Sequence, residues 1–230
     1  MARFCFPNAL EKLDYQDRLP PGAFNPAYIN DAWQSLVDYF TQETLGLACQ
    51  RYLAGRRGPA VVSEQDLAAI RNLRAQGFSS EQGRQLIGLS LEELPGDVDL
   101  DRAPPPVLDR LVHLLTEISL HDGFSIANTT KLAHLLRPRL VPMLDQPTRQ
   151  ALGLAWLRGG NHERGPNSRC FAQGLRMTKE VFDWHNNRRI LLEIREKLAS
   201  HAMLLGLAIS DVRVVDVLAW RMCRYPGHPS

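Results

Sequence analysis

Asp145 stands directly ahead of Gln146 and Pro147, and Asp216 sits in the apolar run Val214, Val215, Val217, Leu218 and Trp220. Carboxylates in such settings can move protons or stabilise a positive charge that develops during a reaction. Each also has a plain structural use. Asp145 can cap the helix that starts behind it. A buried Asp216 needs a partner, and it can either pair with an arginine or face Asp145 across a pocket. A second feature is electrostatic. Between Lys131 and Ile190 eleven basic residues meet four acidic ones, so this segment alone carries +7 of a chain whose formal net charge is +2. A segment of this kind suits a phosphate backbone, although a solvated face or an acidic partner protein would have the same composition. Arg149, Arg188 and Arg189 are its candidate phosphate contacts, and Trp156 and Trp184 are candidate pocket aromatics. Lys131 can reach a phosphate or simply point into water.

Metal and cofactor chemistry find no pattern. His113, His121 and His134 come without a His-x-x-x-His or acidic spacing, so no metal site is expected. Cys5, Cys49, Cys170 and Cys223 form no Cys-x-x-Cys pair and read as free thiols. Phosphate-cradling glycine loops, the Gly-x-Ser-x-Gly elbow and the dinucleotide fingerprint are all missing from the sequence, which disfavours nucleotide hydrolysis and hydride transfer. No cofactor is expected.

One segment carries a resemblance. It reads Gly123-Phe-Ser-Ile-Ala-Asn-Thr-Thr-Lys-Leu-Ala-His-Leu-Leu-Arg-Pro-Arg-Leu-Val-Pro-Met-Leu-Asp145. A glycine turn leads into a helix, a proline-bounded extended stretch follows, and an aspartate precedes the next helix. This resembles the helix-hairpin-helix and aspartate motif of the HhH-GPD DNA glycosylase superfamily, and more closely a set of uncharacterised bacterial members. The 22 residues from Gly123 to Asp145 resemble that family's spacing. The resemblance implies a helix-hairpin-helix glycosylase-like fold, DNA as partner with RNA not excluded, and Asp145 as the carboxylate that orients water during base excision. It also implies phosphate contacts at Gly123, Ser125, Asn128 and Lys131. Ser125 stands where the family has its second hairpin glycine, and Ala127 stands where bifunctional members carry their Schiff-base lysine, so the reaction implied is monofunctional. A non-catalytic module that binds nucleic acid or protein is the alternative. Ser125 and Asn128 can equally cap the helix behind the turn.

The elements that must position these residues are helical almost throughout, because apolar residues recur at i, i+3 and i+4 and no stretch shows a period of two. About ten helices are expected in one domain over residues 1–230, with two lobes as an option and the hairpin and aspartate motif at 123–145. Asn30 should cap a helix over 31–54, Ser63 one to Gln76, Ser79 or Ser80 another, and Ser90 a short one through Leu94. The prolines at 104–106 should open a helix to His121, followed by helices over 126–136 and 146–157, with 139–144 extended between them. A loop over 158–168, a long helix over 178–201 and a last helix from Asp211 complete the order. The apolar share of 44% is that of a globular chain, and no apolar run approaches a membrane span. With no signal-peptide pattern at the start, a cytoplasmic location is expected.

Overall fold

The computed structural model describes residues 4–6, 27–29, 31–73, 77–154, 157, 163–201, 204 and 206–224. Among them are ten α-helices, a 3-10 turn at Leu100–Arg102 and two three-residue strands. The fold is all-α. The strands, β1 (Phe4–Phe6) and β2 (Ala27–Ile29), pair antiparallel with Cys5 opposite Tyr28. No alternation in the sequence announced them. They are held from the far end of the chain, where the Asn187 side chain accepts from Cys5 N at 2.9 Å and donates to Cys5 O at 2.8 Å.

The single helix expected over 31–54 is two, α1 (Ala32–Gln42) and α2 (Thr44–Gly55), with Glu43 extended between them. Asp31, rather than Asn30, caps α1 by accepting from Gln34 N. The break has a tertiary cause. It brings Gly46 against the Tyr39 ring, where a Cβ would lie 2.3 Å from a ring carbon, and it leaves the Tyr39 hydroxyl accepting from Arg213 at 3.0 Å. Ser63 caps α3 (Glu64–Asn72) in a reciprocal box with Asp66, and Ser79 caps α4 (Ser80–Arg84) in the same way with Gln82. The rest of the expected stretch to Gln76 falls on residues outside the described ones. No helix forms over 90–94. There the backbone bonds run across to another segment, Val62 N to Leu89 O and Leu91 N to Ala60 O, both 2.8 Å.

Proline opens α5 (Pro105–Ser119), and Ser125 caps α6 (Ile126–Leu136), which stops before Pro138. Residues 138–140 turn, with Val141 N donating to Arg137 O at 3.0 Å, so the extended stretch is shorter than expected and starts at Val141. The helix behind Asp145, α7 (Gln146–Ala151), ends before the expected Leu157 because Gly153 adopts φ +69°. The C-terminal third is partitioned differently from the sequence reading: α8 (Arg164–Asp183) takes in part of the expected loop, and α9 (Asn187–Ser200) follows a break at residues 184–186. Ser210 caps α10 (Asp211–Arg224), its hydroxyl accepting from Arg213 N.

α5 and α8 lie side by side and antiparallel. Asn167 near the start of α8 donates to Ser119 at the end of α5 (3.0 Å), and Lys179 near the end of α8 donates to Ala103 just before α5 (2.8 Å). The buried apolar residues form one cluster that runs from Phe4 through Leu36, Phe40, Leu111, Leu115 and Phe171 to Val215 and Leu218. Among the described residues no helix is long and apolar enough to cross a membrane.

Candidate functional site

α5 and α6 are joined by a hairpin turn over 120–125 whose bend rests on one glycine. Gly123 has φ +80°, which a side chain would strain, and its Cα faces Gly77 and Phe78 so closely that a Cβ would lie 2.7 Å from the Gly77 carbonyl. Phe124 is buried and its ring stacks at 4.9 Å on Phe78. One flank of the turn is therefore occupied by the chain itself. The other flank exposes Asp122 and Ser125. Ser125 Oγ accepts from Asn128 N, while buried Asn128 donates back to Gly123 O at 2.9 Å, so both residues cap and brace the turn. The amides of Ile126 and Ala127 open α6 with no preceding turn to receive them.

Asp145 stands beyond α6 at the first turn of α7. Its Oδ1 accepts from Thr148 N at 3.1 Å, the capping use the sequence allowed, and its side chain is half-buried. Two bonds aim the extended stretch that presents it. Thr130 Oγ1 of α6 accepts from Leu144 N at 3.0 Å, and Asp216 Oδ2 of α10 accepts from Met143 N at 3.0 Å. Gly174 of α8 lets Leu144 approach, since a Cβ there would lie 2.3 Å from a Leu144 methyl.

Behind this stretch lies a buried polar group. Asp216 is 2% exposed and its second oxygen, Oδ1, has no partner among the described residues. Burial pushes its carboxyl well above the usual carboxylate range; Arg213 and the Met143 amide oppose that, and the nearby charge of Asp145 adds to it. Asp216 thus bonds a backbone amide and feels an arginine as a charge one turn away. The Arg213 guanidinium is satisfied by Tyr39, by Met143 Sδ at 3.3 Å and by the Gln50 amide, whose oxygen accepts from Nε at 2.9 Å. His134, also fully buried, approaches Val141 O with Nδ1 at 2.7 Å; the carbonyl can only accept, so Nδ1 carries the proton and Nε2 has no partner among the described residues. Burial and Arg213 depress its pKa to about 3.

The other sequence candidates lie elsewhere. Lys131 Nζ donates to Leu73 O at 3.0 Å. Arg149 turns inward to donate to Leu157 O at 2.9 Å. Arg188 pairs with Asp183 and Asp101, and Arg189 with Glu193. Trp184 closes α8, packed edge-on to His185. These last three sit at the end of α8 away from the hairpin, roughly 30 Å along a helix of 20 residues. Trp156 is outside the described residues. Among the described residues Cys5, Cys49 and Cys170 form no disulfide, and no group of His, Cys, Asp or Glu could hold a metal.

Residues 32–223, from the start of α1 to the last turn of α10, match the Family of unknown function (DUF6308). The chain belongs to that family. No curated protein and no solved structure matches it. The DUF6308 span includes the hairpin, Asp145, His134, Arg213 and Asp216, and leaves out β1 and β2. Sequence reasoning took His134 only as a histidine without metal-ligand spacing and did not single out Arg213. The signal was present as ionisable residues on the apolar faces of α6 and α10, where a charge or imidazole must find partners or stay neutral. It also passed over Arg51, Arg56 and Arg57, which line a groove of about 950 Å³ between α2 and α3.

Proposed function

We propose that this DUF6308 chain binds DNA through the Gly123 hairpin in a helix-hairpin-helix, glycosylase-like manner, and that Asp145 is the carboxylate of a monofunctional base excision. The observation that carries the reading is the chain of supports from the hairpin to Asp145. The helix behind Gly123 fixes Thr130, Thr130 holds Leu144, and Leu144 presents the half-buried carboxylate. The Ile126 and Ala127 amides at the start of α6 point where an anion is favoured. Breaking an N-glycosidic bond develops positive charge on the sugar; a carboxylate beneath the ring stabilises it and takes a proton from the attacking water. Ala127 supplies no amine for a Schiff base.

A second reading, a non-catalytic nucleic-acid or protein-binding module, draws on different observations. Asp122 puts a carboxylate at the hairpin tip, and Asp145 lines neither of the grooves along α2 and α3.

Asp145→Asn separates these readings, because asparagine keeps the capping acceptor and loses the charge. The assay is release of free base from duplexes carrying alkylated bases, read as new abasic sites. Release by the wild type and its loss in Asp145→Asn, at unchanged melting temperature, is the expected outcome. Full release by the variant contradicts the mechanism, and duplex binding without release by the wild type selects the second reading.

A further inference from the structure

Two adjoining grooves run along the seam of α2 and α3. The first, about 950 Å³, has Arg51, Arg56 and Arg57 on one wall and Ser63 and Glu64 on the other. The second, about 440 Å³, has an apolar floor of Leu45, Ala48, Ala68 and Leu73. Both are lined by Tyr52 and Gln65, so the two adjoin across these side chains, and together they are the α2–α3 channel. At its apolar end the channel approaches the hairpin, because Leu73 O accepts from Lys131 of α6 and Arg71 lies over the Phe78 ring, 5.1 Å from its centre. That same Phe78 packs on Gly123 and Phe124.

The charges along this channel are of two kinds. Arg56 is internal: its Nε donates to buried Asp66 at 3.0 Å and its Nη2 to Pro59 O and Val61 O. Asp66 is fully engaged by Arg56, Tyr52 and Ser63, so this pair presents little net charge to a ligand. Arg51 and Arg57 are exposed, and Arg57 spends one nitrogen on the carbonyls of Ala54 and Arg56 that end α2. Facing them is the single carboxylate of Glu64. Tyr52, half-buried between the two grooves, has its hydroxyl fixed on Asp66 at 2.6 Å, and burial with that bond pushes its pKa up to about 12. The ring is thus a neutral, immobilised platform.

A positively charged wall beside an apolar floor with a fixed aromatic is the arrangement that holds a single nucleic-acid strand, phosphates on the arginines and bases against the floor. We infer that the α2–α3 channel binds a single-stranded phosphodiester chain, with Arg51 and Arg57 on its phosphates and Tyr52 beneath a base. The inference deepens the nucleic-acid reading of the hairpin and rests on it for the class of ligand. A duplex held at Gly123 would feed an unpaired strand past Phe78 and Leu73 into this channel. The nine residues of α3 give the channel a length of roughly 13 Å, room for a few nucleotides.

The test is fluorescence anisotropy with labelled short single strands of DNA and of RNA, and with an intact duplex, across a salt series. The proteins are wild type, the double variant Arg51→Gln/Arg57→Gln and the floor variant Ala68→Glu. All three substitutions fall on exposed positions, and melting temperatures check folding. The double variant is expected to lose single-strand affinity about tenfold, with the salt slope shallower by about 1.4 for two phosphate contacts. Ala68→Glu is expected to lose it as well, while both keep wild-type duplex binding. DNA and RNA strands weakened alike assign the shared phosphodiester chemistry, and one weakened alone assigns that strand. Single-strand binding that all three proteins share, or that poly-glutamate displaces as well as nucleic acid does, overturns the channel. Loss of duplex binding by the wild type, with single-strand binding kept, overturns the hairpin reading instead.

Discussion

Burial holds the imidazole of His134 toward its neutral form and the carboxyl of Asp216 toward its protonated form, and the two act on stability in opposite directions. For His134 the unfolded chain takes up a proton below its ordinary 6.5 that the folded chain resists down to about 3. Stability from this group is present above 6.5 and is lost as pH falls through that window, by about 1.4 kcal/mol per pH unit. For Asp216 the folded chain keeps a proton that the unfolded chain gives up above 3.8, so its contribution is complete below 3.8 and is lost as pH rises. From 3.8 upward, within the window over which His134 titrates, the two slopes oppose each other. His134→Gln should therefore leave a protein whose urea midpoint falls as pH rises across this range, and Asp216→Asn one whose midpoint rises. If both variants keep the wild-type slope, one or other of these protonation states is wrong. Neither group could be assigned a state from sequence. The apolar neighbours of Asp216 indicated burial, but Met143, whose amide donates to it, is 73 residues away.

At the scale of elements, α2 and α3 are tied by one ionic knot. Asp66 has no exposed side-chain surface and holds Arg56 Nε, Tyr52 and Ser63 together. Burial raises its pKa, and the bonds from Arg56, Tyr52 and Ser63 outweigh that, leaving the carboxyl below its usual range. Removing the guanidinium would strand that charge. Arg56→Ala is expected to cost about 3 kcal/mol in chemical denaturation, the lower end for a broken buried pair, since Tyr52 and Ser63 still reach the carboxylate. A cost near zero would mean the knot is ornamental. Helix starts that depend on local capping were legible in the sequence: Ser63, Ser79 as one of two candidates, the prolines at the start of α5, and Ser210 all open helices where their chemistry requires. The breaks were not. The chain parts at Glu43 so that Tyr39 can meet Arg213, 174 residues on, and at 184–186 so that Asn187 can pin Cys5, 182 residues back. Periodicity sees one helix in each case because the apolar stripe continues across the break.

For the whole molecule, counting charge along a segment gave the wrong picture of the surface. The basic stretch 131–190 meets acids from outside it: Arg139 pairs with Asp99, Arg164 with Glu117, Arg188 with Asp101 and Arg189 with Glu193. Such exposed pairs add little to stability, about 0–1 kcal/mol each, but they remove free positive charge from this face. The hairpin-to-aspartate order was legible because it is a local sequence signature. Its surroundings were not, since Gly77 and Phe78 reach Gly123 only through the tertiary fold. The central claim is that an anion of the DNA backbone sits at the start of α6. Ser125→Asp tests it most directly, because aspartate caps a helix as well as serine does and places a negative charge where the phosphate would be. Duplex binding should be measured by anisotropy at low and moderate salt, beside the melting temperature. The account predicts an unchanged or slightly higher melting temperature and duplex affinity reduced about tenfold or more at low salt. Affinity equal to that of the wild type, in a variant that folds as well, would contradict it.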